Sequence, residues 1–145
     1  MKFADIVPLT RMGTYDVTVE WGYIESMLDN YAHEMPLNYL QLDPEFQRAH
    51  VWDQIRQRRY VEYVLRGGHS SKTIYWNCTG WMSDFRGPMY LVDGKQRLES
   101  VRKFMRGELP IFGGHFRSDF TDSIRLTTAF FTFHVNDLPD YKSVL

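Results

Sequence analysis

Apolar residues along this chain fall at helical spacing in some stretches and at strand spacing in others. Trp21, Ile24, Leu28 and Tyr31 recur three or four residues apart, which predicts an amphipathic helix over residues 20–33. Pro36 follows as a stop. Leu37 to Leu42 reads as a short strand and Asp43-Pro44 as a turn. A second helix is expected from Asp53, a good N-cap, to Leu65. Ile55, Val61, Val64 and Leu65 supply its apolar side, and Gly67-Gly68 ends it.

The second half alternates strands with one more helix. Thr73-Ile74-Tyr75-Trp76 is β-branched and aromatic, hence a strand. Asp84 to Pro88 is a turn cluster, and Met89 to Val92 is the next strand. Asp93-Gly94 breaks that strand and opens a third helix, with Leu98, Val101, Phe104 and Met105 as its buried stripe and Gly107 as its end. Phe112 to His115 is a loop, Ala129 to Val135 a last strand, and Asp137-Leu138-Pro139 a closing loop. These elements predict one α+β domain over residues 1–145, with a small mixed sheet and three main helices. No internal repeat or linker divides it.

Composition sharpens this picture. A chain of 145 residues with 43 % hydrophobic and 16 % aromatic content can bury a core. No apolar run approaches the roughly 18 residues of a membrane span. Asp5 stands where a signal peptide would be apolar. Cys78 is the single cysteine, so no internal disulfide can form and a cytoplasmic location is expected. The net charge of −1 conceals a polarity: residues 47–106 carry 12 Lys/Arg against 5 Asp/Glu, a net of +7, and the remainder carries −8. The basic block can attract phosphates. The acidic flanks argue against strong non-specific duplex binding, which depends on releasing many counterions.

The strand–Asp93-Gly94–helix junction is the main chemical signal. A helix N-terminus presents unpaired N–H groups and a partial positive charge, which favour a phosphate. Gly94 lets a ligand approach the backbone closely. Lys95, Gln96 and Arg97 occupy the first turn, where cations oppose the helix dipole unless an anion is near. Arg97 can grip a phosphate through two parallel hydrogen bonds. Asp93 can cap the helix, orient Arg97 or hold a metal ion. A solvent-exposed helix start with an Asp cap explains the same spacing. A second constellation is Pro44-Glu45-Phe46-Gln47-Arg48, followed by Val51-Trp52. Gln47 and Arg48 could meet the same phosphate chain while Phe46 and Trp52 anchor the loop. The bland alternative makes Arg48 a surface charge.

Together these segments resemble the N-terminal domain of GmrSD-type restriction proteins (domain of unknown function 262). That family's pattern runs roughly P-x-[FY]-Q-R-x-x-V-W, a helix ending in Gly, a strand, then [IV]-D-G-Q-Q-R-L-x-S. Here Pro44, Phe46, Gln47, Arg48, Val51 and Trp52 match, then Gly67, then Val92, Asp93, Gly94, Gln96, Arg97, Leu98 and Ser100. Lys95 replaces the usual first Gln. The resemblance covers the motif core, residues 39–112, about half the chain. The same layout is similar to the ParB/sulfiredoxin-like fold, in which ParB embraces the triphosphate of CTP. Sulfiredoxin needs a Cys in the turn, where Lys95 and Gln96 stand, so sulfinic-acid reduction is not expected. Two departures stand out. His69-Ser70-Ser71-Lys72 replaces Pro-Ile-Pro-like residues, and the chain stops at Leu145, before the family's N-x-G-G segment. It therefore reads as a minimal or truncated version.

The resemblance implies a nucleoside-triphosphate-binding domain, with slow hydrolysis, working in phage–bacterium conflict through restriction or its evasion. Gln47, Arg48, Gly94, Lys95, Gln96 and Arg97 would bind the nucleotide, with Asp93 and Gln96 as the catalytic candidates. Mg²⁺ would accompany the triphosphate. Two rivals stay open: a DNA-binding or nicking enzyme, and a non-enzymatic interaction module whose partner is a restriction-system protein. His33, His50, His69, His115 and His134 lack zinc-ligand spacing. Tyr75, Trp76, Trp81 and Tyr90 could stack on a base, and core packing accounts for them equally.

Overall fold

The computed structural model describes residues 1–7, 14–34, 40–43, 51–80 and 88–138. Five strands form one mixed sheet: β1 (Tyr15–Glu20), β2 (Leu40–Gln41), β3 (Thr73–Cys78), β4 (Met89–Asp93) and β5 (Phe130–Asn136). Their spatial order is β1-β5-β3-β4-β2. β5 is antiparallel to β1 and parallel to β3; β4 is antiparallel to β3 and parallel to β2. Three α-helices complete the fold: α1 (Ile24–Asp29), α2 (Gln54–Leu65) and α3 (Lys95–Met105). The expected α+β class, with a small mixed sheet and three main helices, is what the chain adopts.

The core follows from strand alternation. Phe131, Phe133 and Val135 of β5, Ile74 and Trp76 of β3, and Leu91 of β4 are fully buried. Val61 and Val64 of α2 and Leu98, Val101 and Phe104 of α3 join the same cluster. The stripe Trp21, Ile24, Leu28 and Tyr31 is buried as its spacing predicts. Its backbone is not one regular helix: a 3₁₀ turn (Trp21–Tyr23) leads into α1, and a π turn (Asn30–Glu34) follows. Asp53 caps α2, its carboxylate accepting the Arg56 N–H at 2.8 Å.

Four expectations are revised. β1 was not foreseen, although Tyr15 to Glu20 alternates; it is an edge strand with one partner, so half its positions face outward. The strand expected over Leu37 to Leu42 is present at Leu40–Gln41 and ends before Leu42, while residues 35–39 lie outside the described residues. Ile55 is half exposed, and Gln57 and Tyr60 take the inward positions of α2 instead. Trp76 is wholly buried against Tyr31 and Phe133, which removes it as a stacking platform. Tyr75 is partly exposed, whereas Trp81 and the turn at 84–87 lie outside the described residues. Among the described residues no helix is long and apolar enough to cross a membrane.

Candidate functional site

β4 delivers Asp93 to the end of the sheet, and α3 departs from it one residue later. The connection needs a left-handed residue, and Gly94 supplies it at φ +106°. Space is a second constraint. A Cβ on Gly94 would lie 2.7 Å from Ile74 Cδ1 and 3.0 Å from an Arg97 Nη2. With glycine as N-cap, no side chain caps the first turn of α3. The β3–β4 ladder is irregular between Tyr75 and Trp76, opposite Asp93. Such irregularities re-aim neighbouring side chains.

Each side chain of the turn has a defined setting. Asp93 is two-thirds exposed. The Lys95 ammonium is paired with Asp43 and mostly buried. Gln96 Oε1 accepts the Trp52 backbone N–H at 3.0 Å. Arg97 is only 18 % exposed; its Nη2 donates to the Thr73 carbonyl at 3.0 Å and stands 3.7 Å from Asp93 Oδ2. Among the described residues its Nε is buried without a hydrogen-bond partner. Such a donor carries a free-energy cost until an acceptor reaches it. Trp52 packs beside Tyr60, with the Arg56 guanidinium 4.8 Å over its ring. Burial raises the Tyr60 phenol well above its ordinary range, against the opposing charge of Arg97. The Tyr60 hydroxyl donates to Ser71 O at 2.5 Å.

Gln47 and Arg48 lie outside the described residues. Both flanks of their segment are nevertheless tied to the turn: Asp43 to Lys95 on one side, Trp52 to Gln96 on the other. Of the second constellation, Trp52 is the described residue in contact with the turn. Sequence reasoning missed Asp43 and the Thr73 carbonyl as partners. A signal for Asp43 existed, because a lysine replacing glutamine in a half-buried turn calls for a counter-ion. Nothing in the sequence points to a backbone carbonyl.

The linear charge segregation is partly undone in space. Arg102 is 14 % exposed and bonds Glu25 and Glu99, and Arg106 reaches Glu25 at 3.2 Å. Hydrogen bonds from Arg102 hold the Glu25 carboxyl below its ordinary value. Glu25 and Asp43 thus bring acids of the flanks onto the basic block. Arg102 is therefore committed to two carboxylates.

Among the described residues, His33 pairs with exposed Asp29, and His134 with Asp16 and Asn136. Cys78 is buried on β3, away from the turn. No curated protein and no solved structure matches the chain. Residues 24–142 match the family model described as the GmrSD restriction endonuclease N-terminal domain, and the chain belongs to that family.

Proposed function

We propose that this restriction-family domain binds a nucleoside triphosphate at the 93–97 turn and hydrolyses it slowly. The reading rests above all on the two clamps that tie the segment bearing Gln47 and Arg48 to the first turn of α3. The uncapped turn and the unpartnered Arg97 Nε add to it, since both can be satisfied by phosphate oxygens. In this reading the terminal phosphates rest on the amides of residues 94–97. Arg97 and Arg48 grip them, Gln47 positions an oxygen, and Lys95 contributes charge in competition with Asp43. Gln96 has its carbonyl oxygen committed to Trp52, which leaves its amide NH₂ for a phosphate oxygen.

Mg²⁺ suits the donor set. It commonly takes one or two carboxylates together with substrate phosphates and waters, and Asp93 offers an exposed carboxylate at the mouth of the turn. Bound there, the cation would neutralise phosphate charge. Asp93 also orients the attacking water.

A thermal-shift screen against the four ribonucleotides, with and without Mg²⁺, tests binding. A ligand at a hundred times its dissociation constant adds about 2.7 kcal/mol of stability. Phosphate-release assays test turnover: Asp93→Asn should slow it by about 10²-fold while binding is kept. A wild-type domain that binds nucleotide without turnover is an interaction module. The DNA rival predicts tight duplex binding at about 0.15 M salt, where exposed charges are screened beyond about 8 Å. We expect none tighter than micromolar. Arg59→Glu, at an exposed position, is the charge reversal to make in that experiment.

A further inference from the structure

The far end of α3 carries a second feature that the 93–97 turn does not use. An open cleft of about 840 Å³ lies between the C-terminal ends of α2 and α3 and the loop over residues 112–128. Along α3, seven positions lead from Arg97 of the turn to Phe104 of the lining, about 10 Å at 1.5 Å per residue. Its volume falls in the usual range for small-molecule sites.

The lining has three chemistries. Arg106, Arg117 and Arg125 line the cleft together with Asp122, and the Arg106 guanidinium is engaged by Glu25 at 3.2 Å. Arg117 is fixed by donating to the Met105 carbonyl at 2.9 Å, where it caps α3. Arg125 is exposed. Phe112 and Phe120 line the cleft and are 42 % and 43 % exposed, with the His115 ring set edge-on to Phe120 at 6.2 Å. Ser118, Ser123 and Thr128 add hydroxyls.

The loop is held in shape before any ligand arrives. Ile111 and His115 form a β-bridge, and Asp119 accepts the Phe116 N–H at 2.8 Å. The amides of Thr128 and Ala129 both donate to Arg125 O. Phe112 occupies left-handed backbone at φ +48°, a costly conformation for a bulky residue. It is pinned there by its N–H donating to Glu62 Oε2 at 2.6 Å. Strain of this kind, turning an aromatic ring outward at the rim of a charged cleft, is unnecessary for a plain connection.

We infer that this cleft is a second ligand site, for a nucleoside monophosphate. The guanidinium groups of Arg117 and Arg125 suit a phosphate dianion. Phe112 and Phe120 suit a planar base. The serine and threonine hydroxyls suit a ribose. This site is independent of the triphosphate reading of the 93–97 turn, and the two can fail separately.

The test is calorimetric titration of the full chain with AMP, with adenosine and inorganic phosphate as half-ligands, and amide NMR to locate the contact. AMP should bind at sub-millimolar concentration, at least ten times tighter than either half-ligand, and shift the amides of Gly107, Phe112 and Ser118. Arg125→Glu and Phe120→Ala should each weaken AMP at least ten-fold. Neither touches the turn, and both side chains are exposed, so the fold is retained. Arg97→Ala should leave AMP binding intact. The inference is overturned if wild type shows no AMP binding at millimolar concentration. AMP binding that survives Arg125→Glu and disappears in Arg97→Ala also overturns it, as does inorganic phosphate binding as well as AMP.

Discussion

The two ends of α3 handle positive charge in opposite ways. At its start, the cations are drawn inward: Lys95 pairs with Asp43, and Arg97 is spent largely on Thr73 O. What remains for a ligand there is backbone, one buried Nε and an exposed carboxylate. At its end, Arg125 and Phe120 stand exposed around an open cleft whose backbone is locked by internal hydrogen bonds. The first is a rigid cradle that accepts phosphate oxygens at close range. The second is a wider surface that can take a charged group and a ring together. Replacing Arg97 therefore couples stability to binding, whereas replacing exposed Arg125 should affect binding alone.

The largest break in that comparison should come from Gly94→Val. A left-handed valine costs about 1–2 kcal/mol and forced overpacking about 1–3 kcal/mol, here against Ile74 Cδ1. Urea denaturation should show an unfolding free energy lowered by about 3 kcal/mol in all, with triphosphate binding abolished. A variant of wild-type stability would show that the turn is not constrained as described.

Arg97→Ala comes next. Triphosphate binding should weaken by about 1.5–3 kcal/mol, as for a charge-assisted hydrogen bond. The sequence alone predicts nearly unchanged folding. The bond to Thr73 O revises that to a loss of about 1 kcal/mol. Calorimetry and denaturation on one sample measure both. If binding drops while stability does not, the start of α3 behaves like its end, and the contrast is lost.

Gln96→Leu should cost about 1 kcal/mol of stability, because the Trp52 N–H loses its acceptor. It should also weaken triphosphate binding, since one flank of the segment with Gln47 and Arg48 is released. Hydrogen exchange at the Trp52 amide reads this bond directly; unchanged protection would remove the clamp.

The smallest effect belongs to Glu25. Its carboxyl is held below the ordinary 4.5 by Arg102. Its contribution is therefore present in full above about pH 4.5 and is lost as pH falls through the lowered folded value. Glu25 is more than half exposed, so the pair is worth less than about 1 kcal/mol. Glu25→Gln should flatten the acid limb of the stability profile slightly and leave neutral-pH binding unchanged. A large loss at pH 7 would mean that Arg102 and Arg106 depend on Glu25 for more than charge.

Much of this was legible from the residues. The stripes of α2 and α3, the Asp53 cap, the stop at Gly67 and the turn at Gly94 are local or periodic, and periodicity survives any tertiary context that buries one face. β1 escaped notice because it is an edge strand, buried on alternate positions with polar residues between. Ile55 was misassigned because apolar character alone does not say which arc of a helix meets the sheet; Tyr60 and Gln57 won that arc.

By itself the sequence determined the family, the α+β class and the strand–Gly94–helix junction, because each rests on a short run of residues whose backbone preferences act locally. The tertiary structure alone decided where the charges go. Glu25 lies 77 residues from Arg102, and Asp43 52 residues from Lys95. No local rule joins residues so far apart; packing of α1 and β2 against the rest of the fold does. The same holds for the cleft, which exists because the loop over 112–128 returns to the ends of two helices and is fastened there by Glu62 and Met105 O.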